Sequence, residues 1–213
     1  VELLAKVYDH VEHKYTKGFR MLTLGWSDGN SFLPLSHCLL SSANRENRLQ
    51  EASVDVDTRS NGGKQRKLAQ TKATSVVQTL LKEAKDADIP AKYVLFDTWF
   101  CSPASLIQTK EIGYDVIAML KKSDTIHFRY NGRMQSAPAI FRAATKRRGR
   151  ARFLLSVDVE AVKGLTSTPV KLVFVRNRNK RQEYLILAST DISLSEEEII
   201  QTYGKRWNIE VFF

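Results

Sequence analysis

Apolar residues recur in two rhythms along the 213-residue chain, and each rhythm predicts a kind of element. The short continuous runs Tyr93-Val94-Leu95-Phe96 and 114–120 read as buried strands of an α/β sheet, the first of them central. Strand-like runs at 151–159, 170–176 and 183–188 predict an antiparallel, β-rich segment. Two more runs, 21–26 and 31–40, flank Ser27-Asp28-Gly29-Asn30, which makes a hairpin and makes Asp28 a turn residue rather than a ligand. Helical spacing appears in Val76, Val77, Leu80, Leu81 and Ala84, and 102–112 reads as a further helix. An amphipathic helix is also expected over 3–15, with Asp9 and Glu12 on its wet face near His10 and His13. Residues 44–71, polar and carrying Gly62-Gly63, are expected to be a loop.

The last nineteen residues, 195–213, predict one continuous helix. Ser195 and Glu198 form a capping box, and the acidic first turn suits the helix dipole. At 100° per residue, Tyr203, Arg206 and Glu210 fall within about 60° of one another, so a phenol, a guanidinium and a carboxylate share one stripe. Glu210 lies among Trp207, Ile209, Val211 and Phe212, a segment apolar enough to be packed, where a carboxylate needs a metal ion or a base as partner. Trp207, at helical spacing with Ile200 and Val211, is expected in the core, and Trp99 reads equally as core or as a base-stacking surface.

Asp97 ends the run at 93–96, and ligands of α/β sheets sit at strand C-terminal ends. One acid there and one on a distant helix suit a phosphoryl-transfer site, in which Mg²⁺ or Mn²⁺ ions roughly 4 Å apart activate the attacking oxygen and stabilise the leaving one. A strand-end cap at Asp97 and a helix salt bridge from Glu210 to Arg206 are the structural alternatives.

The segments YVLFDTWF (93–100) and YGKRWNIEVFF (203–213) together resemble the DDE insertion-sequence transposases, whose third acid lies in a Tyr-Arg-Glu-Lys signature. The resemblance runs from about Phe19 to Phe213. It implies a ribonuclease-H-like mixed sheet flanked by helices, with Asp97 as second acid and Glu210 as third, both holding Mg²⁺ or Mn²⁺. It also implies that Tyr203 and Arg206 contact phosphates of the transposon end, that the partner is DNA, and that the working form is a homodimer on paired ends. The signature's Lys would fall seven residues after Glu210, and the first acid on a core strand before Val1; the chain is therefore expected to be an internal piece, inactive alone. The expected division is 1–120 as the first part of the core, 121–188 as a basic β-rich insertion and 189–213 as the helix of the third acid. A remnant that only binds DNA, or a ribonuclease-H-like nuclease of another family, would share most of these features.

Composition narrows the setting. At 43% hydrophobic residues the chain can bury one sizeable core, with or without a subdomain. No run approaches the ~18 apolar residues of a membrane span, and Cys38 and Cys101 stand outside any metal-binding spacing, so a soluble protein of a reducing cytoplasm is expected. Net charge is +10, and residues 121–187 hold 16 Lys or Arg against 4 Asp or Glu, more than the whole excess. Arg147, Arg148, Arg150, Arg178, Lys180 and Arg181 cluster at expected hairpin tips of this segment, where guanidinium groups suit phosphate contact and counterion release.

Overall fold

Alternating apolar and polar residues, turn chemistry and capped helices build two units, Val1–Asp88 and Ile89–Phe213, in a computed structural model that describes residues 1–9, 11–177, 180 and 182–212. The first unit begins with two antiparallel ribbons, β1 (Ala5–Asp9) with β2 (Lys14–Gly18), and β3 (Arg20–Ser27) with β4 (Phe32–Leu40). The helix expected over 3–15 is thus a hairpin. Aromatic and β-branched residues at Val7, Tyr8, Tyr15 and Thr16 favour extended backbone, and Asp9 Oδ1 caps the turn by accepting from Val11 N (2.8 Å) and Glu12 N (3.2 Å). Asp28 takes the turn role expected of it, accepting from the N–H groups of Asn30 (2.8 Å) and Ser31 (2.7 Å).

The stretch expected to be a loop contains a 3₁₀ turn at Arg45–Asn47 and the helix α1 (Asn61–Ala69). Ser60 caps α1 by accepting from Gly63 N, and a Cβ on Gly63 would stand 2.2 Å from the Asp57 carbonyl oxygen. The diglycine therefore allows a close approach of backbone to backbone rather than freedom of the chain. Helix α2 (Ala73–Asp86) turns Val76 and Leu80 onto Cys38 and Leu40, which makes the core of this unit.

In the second unit β5 (Tyr93–Phe96), β6 (Asp115–Leu120), β7 (His127–Tyr130), β8 (Arg133–Ser136), β9 (Phe153–Lys163), β10 (Thr166–Arg176) and β11 (Tyr184–Ser189) form one seven-stranded sheet, ordered β5-β6-β11-β10-β9-β7-β8. Among the described residues only β5 and β6 pair in parallel, joined through the helix α3 (Pro103–Ile112); every other pairing between these strands is antiparallel, and the sheet is mixed. Strand β5 stands at the edge among the described residues, not in the centre, and is half-buried. The five strands that begin in the basic segment, β7 to β11, belong to this same sheet, because β11 pairs directly with β6.

Strands β6, β10 and β11 are buried on successive residues, so both faces of the sheet are covered. One face presents Ile117, Val173, Leu187 and Phe153 to Ile199 and Tyr203 of the helix α5 (Glu196–Gly204). On the other, Phe174 meets Phe141 of the helix α4 (Ala137–Ala143), ring centroids 5.1 Å apart, and Phe141 stacks on Tyr184 at 4.0 Å. The sixth helix, α6 (Trp207–Phe212), ends the described chain.

Asp191 fastens the start of β5 to the segment after β11. Its Oδ2 accepts from Lys92 Nζ and Tyr93 Oη, both at 2.9 Å, and its Oδ1 from the N–H and hydroxyl of Ser193. The Ser193 hydroxyl, then Lys92 and Tyr93, hold this carboxyl well below the usual carboxylate range against the opposing effect of burial. A depressed carboxyl stabilises fully above its unfolded value of about 3.9, and the contribution is lost as pH falls from there toward the folded value. Asp191→Asn should lower unfolding free energy by about 2 kcal/mol at pH 7. The gap between variant and parent should narrow below about pH 4. Denaturant titrations at pH 7 and pH 3 measure both, and equal stability at pH 7 would show that the clasp contributes nothing.

Candidate active site

Asp97 follows the last residue of β5, and strand alternation puts it on the face of Leu95, the face that α5 covers. Its Oδ1 accepts from Trp99 N at 2.9 Å, closing a turn that fixes the side chain, and the Phe100 N–H returns to the Asp97 carbonyl. Oδ2 accepts no hydrogen bond among the described residues. Trp99 itself is 74% exposed. Behind the turn lies Cys101, 3% exposed, whose thiol is pushed up to about 12 by burial and, secondarily, by the charge of Asp97.

The capping box is present: Ser195 Oγ accepts from Glu198 N, and Glu198 Oε2 accepts from Ser195 N at 2.8 Å. The single terminal helix, however, is two. After Gly204 the chain tightens, with Lys205 N bonded to Thr202 O and Arg206 N to Tyr203 O, before α6 begins. Glycine is a poor helix former, which places the interruption. The stripe survives it. Arg206 Nη1 lies 2.6 Å from Glu210 Oε1, and the guanidinium carbon is 5.8 Å from the Tyr203 ring centroid and 5.9 Å from that of Trp207.

Two expectations about this stripe are corrected. Glu210 is not packed, since its side chain is 40% exposed, and its partner is Arg206. Trp207 is 62% exposed, because α6 buries none of its described residues. Tyr203 is the buried member, at 8%. Burial pushes its phenol above the ordinary value; Arg206 opposes this, and the charge of Asp97 adds to it. Leu95, two residues before Asp97, packs on the apolar layer that holds Tyr203, which joins the strand end to the helix, and the salt bridge leads on from there to Glu210. Tyr203 Oη and Arg206 Nε are both buried, and neither makes a hydrogen bond of acceptable geometry.

The basic residues are arranged differently from the sequence expectation. Arg147, Arg148 and Arg150 lie on the connection from α4 to β9, not on a hairpin tip, and all three are exposed. Gly149 turns this connection at φ +96°. Arg147 N bonds to Leu154 O at 2.7 Å while its guanidinium covers the Phe153 ring at 5.0 Å, so it is anchored on the core that holds Tyr203. Lys180, between β10 and β11, has its ammonium 3.3 Å from Glu183. Arg178 and Arg181 lie outside the described residues. Arg176, counted among the cations by sequence, donates to the carbonyls of Ala151 (2.8 Å) and Gly149 (2.9 Å) and so shapes the connection instead. Nothing in the sequence separates a guanidinium that ties backbone from one that faces solvent.

Among the described residues no group of three or more His, Cys, Asp or Glu is gathered to hold a metal ion. The two carboxylates named above are hard oxygen donors of the type Mg²⁺ and Mn²⁺ take, and Asp97 keeps one oxygen uncommitted. Also among the described residues, no helix is long and apolar enough to cross a membrane.

No curated protein matches the chain. The family described as DDE superfamily endonuclease matches residues 1–181, a span that includes Asp97 and all of β1 to β10 and stops short of the Tyr203 stripe. That match covers most of the 213 residues, and its expected chemistry is nucleolytic or polynucleotidyl transfer on DNA: the chain belongs to the DDE superfamily endonuclease family.

Proposed function

We propose that the chain is the catalytic domain of a DNA transposase of the insertion-sequence type, performing metal-dependent cleavage and strand transfer at transposon ends. The observation that carries this reading is the placement of Asp97 at the end of β5, whose Leu95 packs on the layer that holds Tyr203, with Arg206 and Glu210 following Tyr203 along one stripe. A ribonuclease-H-like architecture, in which a strand of the sheet carries one acid and a helix the other, accords with this arrangement.

Asp97 and Glu210 would hold Mg²⁺ or Mn²⁺. When bound, such an ion lowers the pKa of an attacking oxygen and neutralises charge on the leaving one. The protein's own groups do the rest. Asp97 is fixed by the Trp99 N–H, so its uncommitted oxygen is presented without rotational freedom. Arg206 keeps Glu210 in place through Nη1 and still has donors to offer; its planar fork can take a phosphate in bidentate fashion, as a lysine could not. Tyr203, whose phenol is raised by burial, stays protonated at neutral pH, so its hydroxyl, buried in the free chain, would donate to a phosphate oxygen that reaches it. The exposed cations Arg147, Arg148, Arg150 and Lys180 supply sequence-independent attraction for DNA, to which Arg178 and Arg181 would add. Paired transposon ends would require a homodimer.

Two experiments test this reading. Supercoiled plasmid nicked by the full-length protein should require Mg²⁺ or Mn²⁺, and Asp97→Asn and Glu210→Gln should each reduce the rate at least about 10³-fold. Undiminished nicking by either variant removes that residue from the site. Tyr203→Phe deletes a buried hydroxyl without a partner, so its melting temperature should equal or exceed the parent's, while strand cleavage falls about 10-fold. A loss of stability in Tyr203→Phe would show instead that the hydroxyl is a structural group.

A further inference from the structure

The ribbon β1–β2 carries a surface that neither the fold nor the catalytic site uses. Its register sets Lys6 opposite Lys17 and Tyr8 opposite Tyr15. Alternate residues of a strand share a face, so these four side chains stand together, with Val7, Asp9, Lys14 and Thr16 on the reverse. The tyrosine rings meet edge to face at 5.3 Å and 72°. Tyr15 is 73% exposed, Tyr8 39%, and both lysines are exposed.

Like charges directly opposite on a two-stranded ribbon are destabilising, and such ribbons have little stability to spare. Nothing nearby relieves the repulsion: neither Lys6 nor Lys17 has an ion pair among the described residues. The acids of the ribbon are engaged elsewhere. Glu12 holds Lys14 at 3.1 Å, and Asp9 caps the turn. A face with two uncompensated ammonium groups beside two phenols is complementary to a polyanion that also offers hydrogen-bond acceptors. A two-stranded ribbon is narrow enough to enter a duplex groove of about 12 Å.

We propose that this face of the ribbon is a phosphate-contacting surface for duplex DNA, with Lys6 and Lys17 displacing counterions and the Tyr15 hydroxyl donating to a phosphate oxygen. This rests on the DNA reading above and adds to it a contact surface in the first unit. Contacts of this kind fix position without reading sequence, so they should act alike on any duplex.

The test is fluorescence anisotropy of a labelled 20-base-pair duplex titrated with the 213-residue chain across 50–200 mM NaCl. Lys6→Gln with Lys17→Gln should weaken binding about 10-fold at the lower salt and make the slope of log affinity against log salt shallower by about two. Tyr15→Phe should weaken binding several-fold and leave the slope unchanged, since it removes a hydrogen bond and no charge. Lys72→Gln with Lys82→Gln, an equal loss of exposed charge around α2, is the control, and circular dichroism verifies the fold of each variant. A ribbon variant that behaves as this control does overturns the proposal and leaves the DNA reading standing. Failure of the unaltered chain to bind any duplex overturns both.

Discussion

Tyr203 is held by an apolar layer, formed with Ile117, Phe153, Val173, Leu187 and Ile199, and the geometry of the second unit depends on that layer. It is made by four strands and one helix at once. The strand period turns Ile117, Val173 and Leu187 to one face, and the helical period turns Ile199 and Tyr203 to meet them. A close-packed interior of this kind fixes the rotation of α5 about its axis, because turning it would exchange buried for charged residues. With that rotation set, Tyr203 lies in the layer on which Leu95 of β5 packs, and the turn after Gly204 carries the guanidinium and carboxylate on from there. The same layer receives Arg147 through Phe153, so the basic connection is attached to the element that orients the site.

Much of this was legible from residue order. The β3–β4 hairpin, α2, α3, β6 and the capping box at Ser195 follow from period and from local turn or cap chemistry, which act over a few residues. The failures have physical causes too. In 3–15 the charged residues Asp9 and Glu12 read as the wet face of a helix, whereas the cross-strand tyrosine pair and the Asp9 turn favour a hairpin, and pairing depends on a partner that no window of one strand contains. Gly62-Gly63 resembles a flexible linker until the Asp57 carbonyl is known to press against it. A four-residue apolar run reads as central, yet strand order is set by which neighbours pair, and β5 lies at the edge among the described residues.

Side-chain roles were legible to the extent that they followed one element. The Tyr203, Arg206 and Glu210 stripe needed only the helical period, and it persists across the interruption because i to i−3 bonding changes the phase little. Exposure was harder. Trp207 and Glu210 look packed in a sequence window rich in apolar residues, but an apolar neighbour in sequence buries nothing unless another element covers it. Charge counting likewise found the basic segment but does not separate its solvent-facing cations from Arg176, whose guanidinium organises two carbonyls.

The buried sulfur beside Asp97 has a bearing on which cations such a site would accept. Thiolate, not thiol, is the form that binds metals, and a Cys101 thiol titrating near 12 supplies almost none of it at neutral pH. Before any ion binds, the donor that this end of β5 offers is therefore the Asp97 carboxylate. A soft ion could recruit the sulfur only by displacing its proton at a buried position, a cost that a hard ion content with oxygen does not meet.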